Sequence, residues 1–277
     1  MAACVLALSA GLPPLLASAA QPVTLDVPTP YLPSTQLDVE ELLRVAGIVP
    51  QDVIVDLGSG DGRIVIVAAK YFGARGFGVD IDEKLVALAN DNAREAGVSD
   101  RARFYHRDIF DTDLREATVV TMYLLSNLVN RLRPKLLAEL KPGTRIVAHD
   151  YGFDGWKPDR TVKIIKTFYL YVVPAAVAGK WRLQVTLPEG ERRYEFDLKQ
   201  QLQEISGSAT ASGGYLPLYE PRLSGERISF VISDKRHNYH FDGRVNGSQM
   251  EGTVTSGIGN AKVESRWHAV RIVLGEG

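Results

Sequence analysis

The chain has 277 residues, of which 45% are hydrophobic and 23% are charged, and its formal net charge is -1. These values predict a globular protein with one large domain or two modest ones, and they argue against a disordered chain. No block of like charges occurs, so the clustered Lys and Arg of a nucleic-acid-binding surface are missing and we expect no nucleic-acid partner.

The pattern of the first residues predicts a targeting segment. Residues 5–20 are apolar and end in the small residues of 17–20, which is typical of a secretory signal peptide over residues 1–20, followed by a Pro-rich linker over 21–33. No basic residue precedes Arg44, although a signal normally begins with positive charge. The run is shorter than the roughly 20 residues of a spanning helix. We expect a periplasmic or otherwise exported protein, with a membrane-associated or cytoplasmic one as alternatives.

A helix and then an alternating pattern follow the linker. Apolar residues at helical spacing predict a leading helix over 35–46, with Ser34 or Thr35 as its N-cap. Strands are predicted at 52–56, 76–81, 102–106, 117–123 and 144–149, and helices at 62–72, 83–96 and 126–140. This alternation predicts an α/β, Rossmann-like parallel sheet with helices on both faces, in a domain over 34–174.

After residue 150 the pattern changes to β-branched and aromatic runs that alternate with polar residues. Strands are predicted at 162–173, 181–187, 194–205, 227–233, 239–245, 249–255 and 262–273. We expect a smaller antiparallel β-rich domain over 178–275, built as a meander with one solvated face. The run 162–173 has a second interpretation, as an antiparallel edge that completes the first sheet.

The most informative motif lies between the first strand and the helix that follows it. Asp56 is followed at alternate positions by Gly58, Gly60 and Gly62. Glycines there let the backbone approach a ligand closely, and the helix start offers free N-H groups. The spacing differs from the G-x-G-x-x-G of dinucleotide enzymes, and it places a carboxylate where a cationic ligand group could be met. The segment resembles motif I of class I S-adenosylmethionine-dependent methyltransferases, which implies that cofactor.

Two further segments fit this resemblance. Asp80 ends the second strand, where an acid can accept both ribose hydroxyls, and Asp82 suits the N-cap of the next helix better than Asp80 does. The family pattern implies that an acid after the third strand lies near the adenine amine, beside an apolar residue. Asp56 and Asp108 keep an alternative interpretation as ordinary turn residues. The predicted cofactor residues in this region are Asp56, Gly58, Gly60, Gly62, Asp80, Ile81, Asp108 and Ile109.

A narrower resemblance adds residues on both sides of the loop. The segment from Tyr31 to Thr35, combined with the loop 56–63, resembles the protein-lysine methyltransferase family that includes the mitochondrial enzymes acting on the c-subunit of ATP synthase and on the adenine nucleotide translocase. It covers residues 30–150. It implies that Tyr31 and Thr35 fold over the cofactor and that residues 122–126 line the methyl-transfer site. That segment lacks the N/D-P-P-Y motif of amino-methylating enzymes, which leaves the acceptor open.

Methyl transfer mainly requires that acceptor and methyl group are held in line. A lysine acceptor must also lose its proton, which a desolvated aromatic pocket favours. Tyr123, His149, Asp150 and Tyr151 follow strand ends on the side where open α/β sheets bind ligands. We take Tyr123 and Asp150 as catalytic candidates, against alternatives in which Tyr123 is a core residue and Asp150 caps a turn. Trp156 either closes over the site or packs under the second domain.

The acceptor and the role of the β-rich tail stay open at this level. The acceptor is a protein or a small molecule, a position near a membrane is one further expectation, and the oligomeric state is undetermined. The tail either presents or covers substrate or forms a ligand cup, since Gly179-Lys-Trp181 is similar to the G-x-W of lipocalin-like barrels. A binding protein without turnover is a third hypothesis. An exported enzyme would need S-adenosylmethionine from outside.

No metal site is expected. His237 and His240 point to opposite faces of a strand, and Cys4, the sole cysteine, lies in the signal segment.

Overall fold

The computed structural model describes residues 32–211, 214–233, 237–256 and 262–272. The predicted signal peptide, most of the linker and Tyr31 lie outside the described residues. Residues Pro33–Gly277 form one compact unit, which contains a helix-covered sheet followed by a β-barrel. In the part of the chain that is described, no helix is both long and apolar enough to cross a membrane.

The first half of this unit is a seven-stranded sheet in the order β3-β2-β1-β4-β5-β7-β6, in which β7 runs opposite to the other six strands. The predicted α/β, Rossmann-like class is confirmed. The strands are β1 Val53–Leu57, β2 Arg75–Asp80, β3 Ala102–His106, β4 Val119–Met122, β5 Arg145–His149, β6 Arg160–Lys163 and β7 Thr167–Val172. The helices are α1 Gln36–Ala46, α2 Arg63–Phe72, α3 Glu83–Glu95 and α4 Ser126–Glu139.

The central strands are apolar on both faces because helices cover both. Val55 of β1 and Val120 of β4 belong to the core that includes α4, whereas Ile54 and Val119, one residue earlier, belong to the core under α1 and α2. Strand order reverses between β1 and β4, so the crevice at their carboxyl ends is the place where such sheets bind ligands.

The run 162–173 proves to be a hairpin of the first sheet. Its β7 half lies between β5 and β6, and the turn between β6 and β7 contains Ile164, Ile165 and Lys166. The interpretation as part of the first sheet is therefore the correct one, although the inner strand is β7 and the edge strand is β6.

The second half is a closed antiparallel barrel of eight strands, each paired with its neighbours in sequence and closed by β15 on β8. The predicted antiparallel β-rich part is confirmed. It is a closed barrel, whereas the sequence predicts an open meander with one solvated face. The strands are β8 Gly179–Leu187, β9 Gly190–Gln201, β10 Glu204–Ala211, β11 Gly214–Ser224, β12 Arg227–Ser233, β13 Asn238–Asn246, β14 Gln249–Ser256 and β15 Val263–Arg271.

Aromatic side chains fill the barrel interior. Phe230 stacks on Phe241 with ring centroids 4.9 Å apart, and Phe196 and Trp267 meet Phe230 edge-on at 5.2 and 6.1 Å. Trp181 is fully buried and donates its indole N-H to the carbonyl of Val177. An interior packed in this way does not favour the ligand-cup hypothesis.

The barrel meets the sheet at the edge where the parallel strands begin. Gly225 lies against Gly143, in the turn before β5, and its carbonyl accepts from the N-H of Ala175. Leu202 packs on the core under α4, and Gln203 donates to the carbonyl of Lys157. These contacts lie opposite the carboxyl edge, so they give no support to a tail that covers the substrate.

Candidate active site

The glycine loop joins β1 to α2 at the reversal of strand order. Gly58, Gly60 and Gly62 all have positive φ, of 80°, 53° and 82°, which non-glycine residues rarely adopt. A Cβ on Gly62 would lie 2.5 Å from the Phe104 ring. The loop therefore requires glycine both for its backbone angles and for its packing on β3.

Asp80 binds this loop from the end of β2. Its carboxylate accepts from the N-H of Gly60 at 2.9 Å and from the N-H of Asp82 at 3.0 Å, while Asp82 forms the N-cap of α3. Carboxylate oxygens accept more than one hydrogen bond each, so Asp80 retains capacity for hydroxyl donors. The side chain of Ile81 is 71% exposed beside it, a free apolar surface at the mouth of the loop.

The segment after β3 is a turn. One Asp108 oxygen accepts from the N-H of Phe110 at 2.8 Å, and Ile109 packs partly buried against the core under α4. Asp108 thus stabilises its own turn, as its alternative interpretation states, while remaining exposed at the same edge as Asp80.

Asp56 is buried under the loop. Its Oδ1 accepts from the Thr121 hydroxyl at 2.6 Å, whereas its Oδ2 and the neighbouring Ser59 hydroxyl are buried without a hydrogen-bond partner among the described residues. Burial raises the pKa of the Asp56 carboxyl to about 7, against the smaller opposing effect of the Thr121 hydrogen bond. Buried polar atoms without partners are rare in native proteins, so this cradle fits a ligand with cationic and polar groups, such as S-adenosylmethionine.

Contacts that the sequence did not reveal hold the start of α1 beside the glycine loop. Thr35 caps α1 in a reciprocal capping box with Asp38. Arg63, at the start of α2, donates to the carbonyl of Ser34, and the Ser34 hydroxyl lies 3.2 Å from Nδ1 of His149. Thr35 therefore stands beside the glycine loop. Tyr31, predicted to act with it, lies outside the described residues.

Tyr123 and His149 form an aromatic wall at the ends of β4 and β5. The His149 ring lies between Tyr123 and Phe168, with centroid distances of 4.0 and 4.8 Å. Burial is the main influence on the pKa of His149 and lowers it, which favours the neutral imidazole. Its Nε2 is buried and has no hydrogen-bond partner within the described ranges.

Asp150 follows β5 in a left-handed conformation, with φ of 61°. Its N-H donates to the carbonyl of Thr167 at 2.7 Å, and its Oδ1 accepts from the N-H of Thr167 at 3.1 Å. Partial burial alone would raise the pKa of Asp150, but hydrogen bonds from Lys166 and Thr167 outweigh it and lower that pKa. Asp150 is thus ionised and fixed in place. Tyr151, the next residue, is 41% exposed.

A lysine amine already lies on these groups. Lys166, in the turn between β6 and β7, donates from Nζ to Asp150 Oδ2 at 2.6 Å and to the Tyr123 hydroxyl at 3.3 Å. The Tyr123 hydroxyl also donates to Asp150 Oδ2 at 3.3 Å. Tyr123 and Asp150 therefore form a binding site for an alkylammonium group.

The remaining candidates lie elsewhere. Trp156 is buried against Phe153 and Tyr171, inside the core and away from the carboxyl edge. Within the described ranges, no group of three or more His, Cys, Asp or Glu side chains is placed to hold a metal ion.

Comparisons with known proteins identify relatives of the sheet part. The family model described as the ANTKMT methyltransferase domain matches residues 56–160. A protein-lysine N-methyltransferase of Saccharolobus islandicus (strain REY15A) is 42% identical over 150 residues, which are 52% of this chain and 93% of the relative. The adenine nucleotide translocase lysine N-methyltransferase of Mus musculus is 33% identical over 136 residues, 49% of this chain and 59% of the relative.

A solved structure is also similar. The crystal structure of an RNA methyltransferase from Salinibacter ruber in complex with S-adenosyl-L-homocysteine shares 47% identity and superimposes with a TM-score of 0.52, over 53% of this chain and 96% of that one. The bound product of that structure agrees with the cofactor that the loop and Asp56 fit. The chain belongs to the same family as the archaeal protein-lysine N-methyltransferase, and it is an S-adenosylmethionine-dependent methyltransferase.

Proposed function

We propose that this methyltransferase acts on lysine side chains of proteins. The observation that carries the proposal is the binding of the Lys166 ammonium by Tyr123 and Asp150, at the carboxyl edge next to the glycine loop. A site that binds one lysine amine has the charge, the hydrogen-bond acceptors and the aromatic surface that another lysine amine needs.

The cofactor, Asp150 and Tyr123 have separate roles in methyl transfer. The cofactor supplies a methyl group on a cationic sulfur. The Asp150 carboxylate attracts and positions the protonated amine of the acceptor, and the proton that the amine must lose before its lone pair can attack passes to solvent. Tyr123, stacked on His149, gives an aromatic wall that orients the amine toward the glycine loop.

The relatives support this acceptor. The archaeal protein, 42% identical, and the mouse protein, 33% identical, are both lysine N-methyltransferases by name. The archaeal match covers 93% of that protein.

An RNA acceptor is the second candidate, because the Salinibacter ruber protein, 47% identical, is an RNA methyltransferase by name. The net charge of -1 and the absence of a basic run argue against it. An ionised Asp150 at the acceptor edge would also repel a phosphate backbone.

The test supplies the purified chain with methyl-labelled S-adenosylmethionine and, separately, with total protein and with total RNA. We expect label in protein, recovered as methyl-lysine after hydrolysis. Asp150→Asn and Tyr123→Phe should each lower kcat/KM by about 10- to 100-fold. Asp80→Ala should instead weaken cofactor binding by about tenfold or more, a loss of about 1.4 kcal/mol. Label in RNA alone would reject the proposal, and so would an unchanged rate for Asp150→Asn.

We also propose that the chain is exported, and that its acceptor lies near a membrane. The apolar segment 5–20 supports export, and the exposed Ile164 and Ile165 at the acceptor edge, 52% and 82% exposed, support contact with an apolar surface. Cell fractionation with mass spectrometry of the N-terminus tests the first point. A mature chain that begins at Gln21 outside the cytoplasm is expected, and a cytoplasmic chain that retains residues 1–20 would contradict it.

A further inference from the structure

We propose that Lys166 is an internal competitor that occupies the acceptor-amine site until a substrate lysine displaces it. The inference rests on the proposed function. Its Nζ lies 2.6 Å from Asp150 Oδ2, 3.3 Å from the Tyr123 hydroxyl and 5.7 Å from the centroid of the Tyr123 ring. Carboxylate, hydroxyl and aromatic ring are the groups that an acceptor amine would meet.

The site does not depend on Lys166 for its shape. Asp150 is held by two hydrogen bonds with the backbone of Thr167, one from its own N-H and one to its Oδ1, and the ring of Tyr123 is held by its stacking on His149. Removal of the Lys166 amine therefore leaves both partners in position, ready to bind another amine.

Lys166 is also placed so that it can leave. Its side chain is 38% exposed, and it extends from a turn whose neighbouring residue, Ile165, is 82% exposed. An incoming ammonium replaces the same hydrogen bonds with Asp150 and Tyr123. The exchange therefore costs little and requires no movement of β6 or β7.

The same contacts keep Lys166 unreactive. The hydrogen bond to Asp150 raises the pKa of the Lys166 amine, followed in size by the one to Tyr123, so the amine stays protonated and has no lone pair for attack. We therefore expect Lys166 to remain unmethylated during turnover.

A binding test separates this inference from methyl transfer. The probe is n-butylammonium chloride, titrated into the full chain and followed by NMR. Lys166→Met should bind it at least tenfold more tightly than the unaltered chain. Lys163→Met is the matched control, since Lys163 is exposed on β6 and forms no ion pair within the described part of the chain; it should bind like the unaltered chain. Adding Asp150→Asn to Lys166→Met should abolish the gain.

Equal affinity of Lys166→Met and the unaltered chain would overturn the inference, and so would mass-spectrometric detection of methylated Lys166. With poly-L-lysine as acceptor, Lys166→Met should lower KM several-fold and leave kcat unchanged, whereas a purely structural role would lower kcat or stability. Tighter butylammonium binding without any transfer to lysine would reject the lysine acceptor and keep Lys166 as the occupant of an ammonium site. Methyl transfer to lysine without tighter butylammonium binding by Lys166→Met would support the lysine acceptor and reject Lys166 as its competitor.

Discussion

Asp56 is an acid that the fold buries completely and supplies with one hydrogen-bond donor, Thr121. Its folded pKa of about 7 lies above the ordinary value of 3.8 because burial disfavours the charged form. Below pH 3.8 the carboxyl is protonated in both states. As pH rises from there to about 7, the unfolded chain gains by ionising and the folded chain does not, so the stability that Asp56 contributes is lost over this window.

Replacing Asp56 with Asn should remove this dependence while keeping the Thr121 hydrogen bond. Between pH 5 and pH 8 the unaltered chain should lose on the order of 2 to 3 kcal/mol of unfolding free energy relative to Asp56→Asn. Urea denaturation without cofactor at the two pH values measures this. Parallel pH profiles for the two chains would show that Asp56 is ionised in the folded state at neutral pH.

Asp150 differs from Asp56 in how its charge is maintained. It is partly buried, it accepts from Lys166 and from the Thr167 backbone, and its pKa is lowered. Two acids at one edge of the sheet thus have opposite pKa shifts. The buried one suits a place under a cationic cofactor, and the ionised one suits an incoming ammonium.

At the scale of elements, the glycine loop is the most constrained connection. Gly62 has φ of 82°, and a Cβ there would lie 2.5 Å from Phe104 and 2.9 Å from Ala89. Gly97, after α3, has a similar φ of 70° but no atom within 4 Å of a built Cβ. The two positions share backbone strain and differ in packing.

Gly97→Ala should therefore cost only the left-handed backbone strain, about 1 to 2 kcal/mol. Gly62→Ala should cost that and a further 1 to 3 kcal/mol from overpacking. It should also weaken S-adenosylmethionine binding, whereas Gly97→Ala should not. Thermal unfolding and calorimetric titration measure the two effects. Equal losses for the two variants would contradict the packing argument.

The sequence predicts the elements of the sheet part closely, because strand and helix periods alternate there and turn residues separate them. The first strand was predicted at 52–56 and lies at Val53–Leu57, and the fourth was predicted at 117–123 and lies at Val119–Met122. Asp80 and the glycines lie together as their spacing indicated, since strand ends of a parallel sheet share one edge.

The barrel was predicted less well. The sequence predicts one strand over 194–205, but the structure has two strands there, β9 and β10, joined by a turn at Leu202 and Gln203. Leu202 has φ of 55° and neither residue is a typical turn former, so no local signal marks the turn. The strand β11 was not predicted because Pro217 and Pro221 interrupt it.

The parts of the site that the sequence did not reveal are those made by distant contacts. Ser34 reaches His149 only because α1 packs beside β5, and Lys166 reaches Asp150 only because β7 enters the sheet antiparallel to β5. The sequence around Lys166 does not indicate that Asp150 is its partner, because that contact depends on how the hairpin of β6 and β7 joins the sheet.

For the whole molecule, the question is whether the barrel is needed for the methyltransferase part. The match to the archaeal relative covers 93% of that protein but 52% of this chain. The sheet part has its own cores, and Leu202 is a barrel residue that packs against one of them. We infer that the sheet part folds without the barrel.

A chain that ends at Pro174 should bind S-adenosylmethionine within about threefold of the full chain, a difference below about 1 kcal/mol. Its Tm should be lower by several degrees because Leu202 no longer covers the core. Calorimetric titration and circular dichroism test this. Aggregation or complete loss of binding would show that the barrel is part of the catalytic fold.

The position of the barrel has a practical consequence. β7 starts at Thr167, beside Asp150, and ends at Val172, beside Gly225 of the barrel. Six residues of β-strand span roughly 20 Å, so barrel and acceptor site lie at opposite ends of one rigid strand. A bead, dye or solid support attached to the outer barrel would leave the reacting edge facing free solution. The barrel is therefore a suitable site for immobilising the enzyme while the carboxyl edge of the sheet stays accessible.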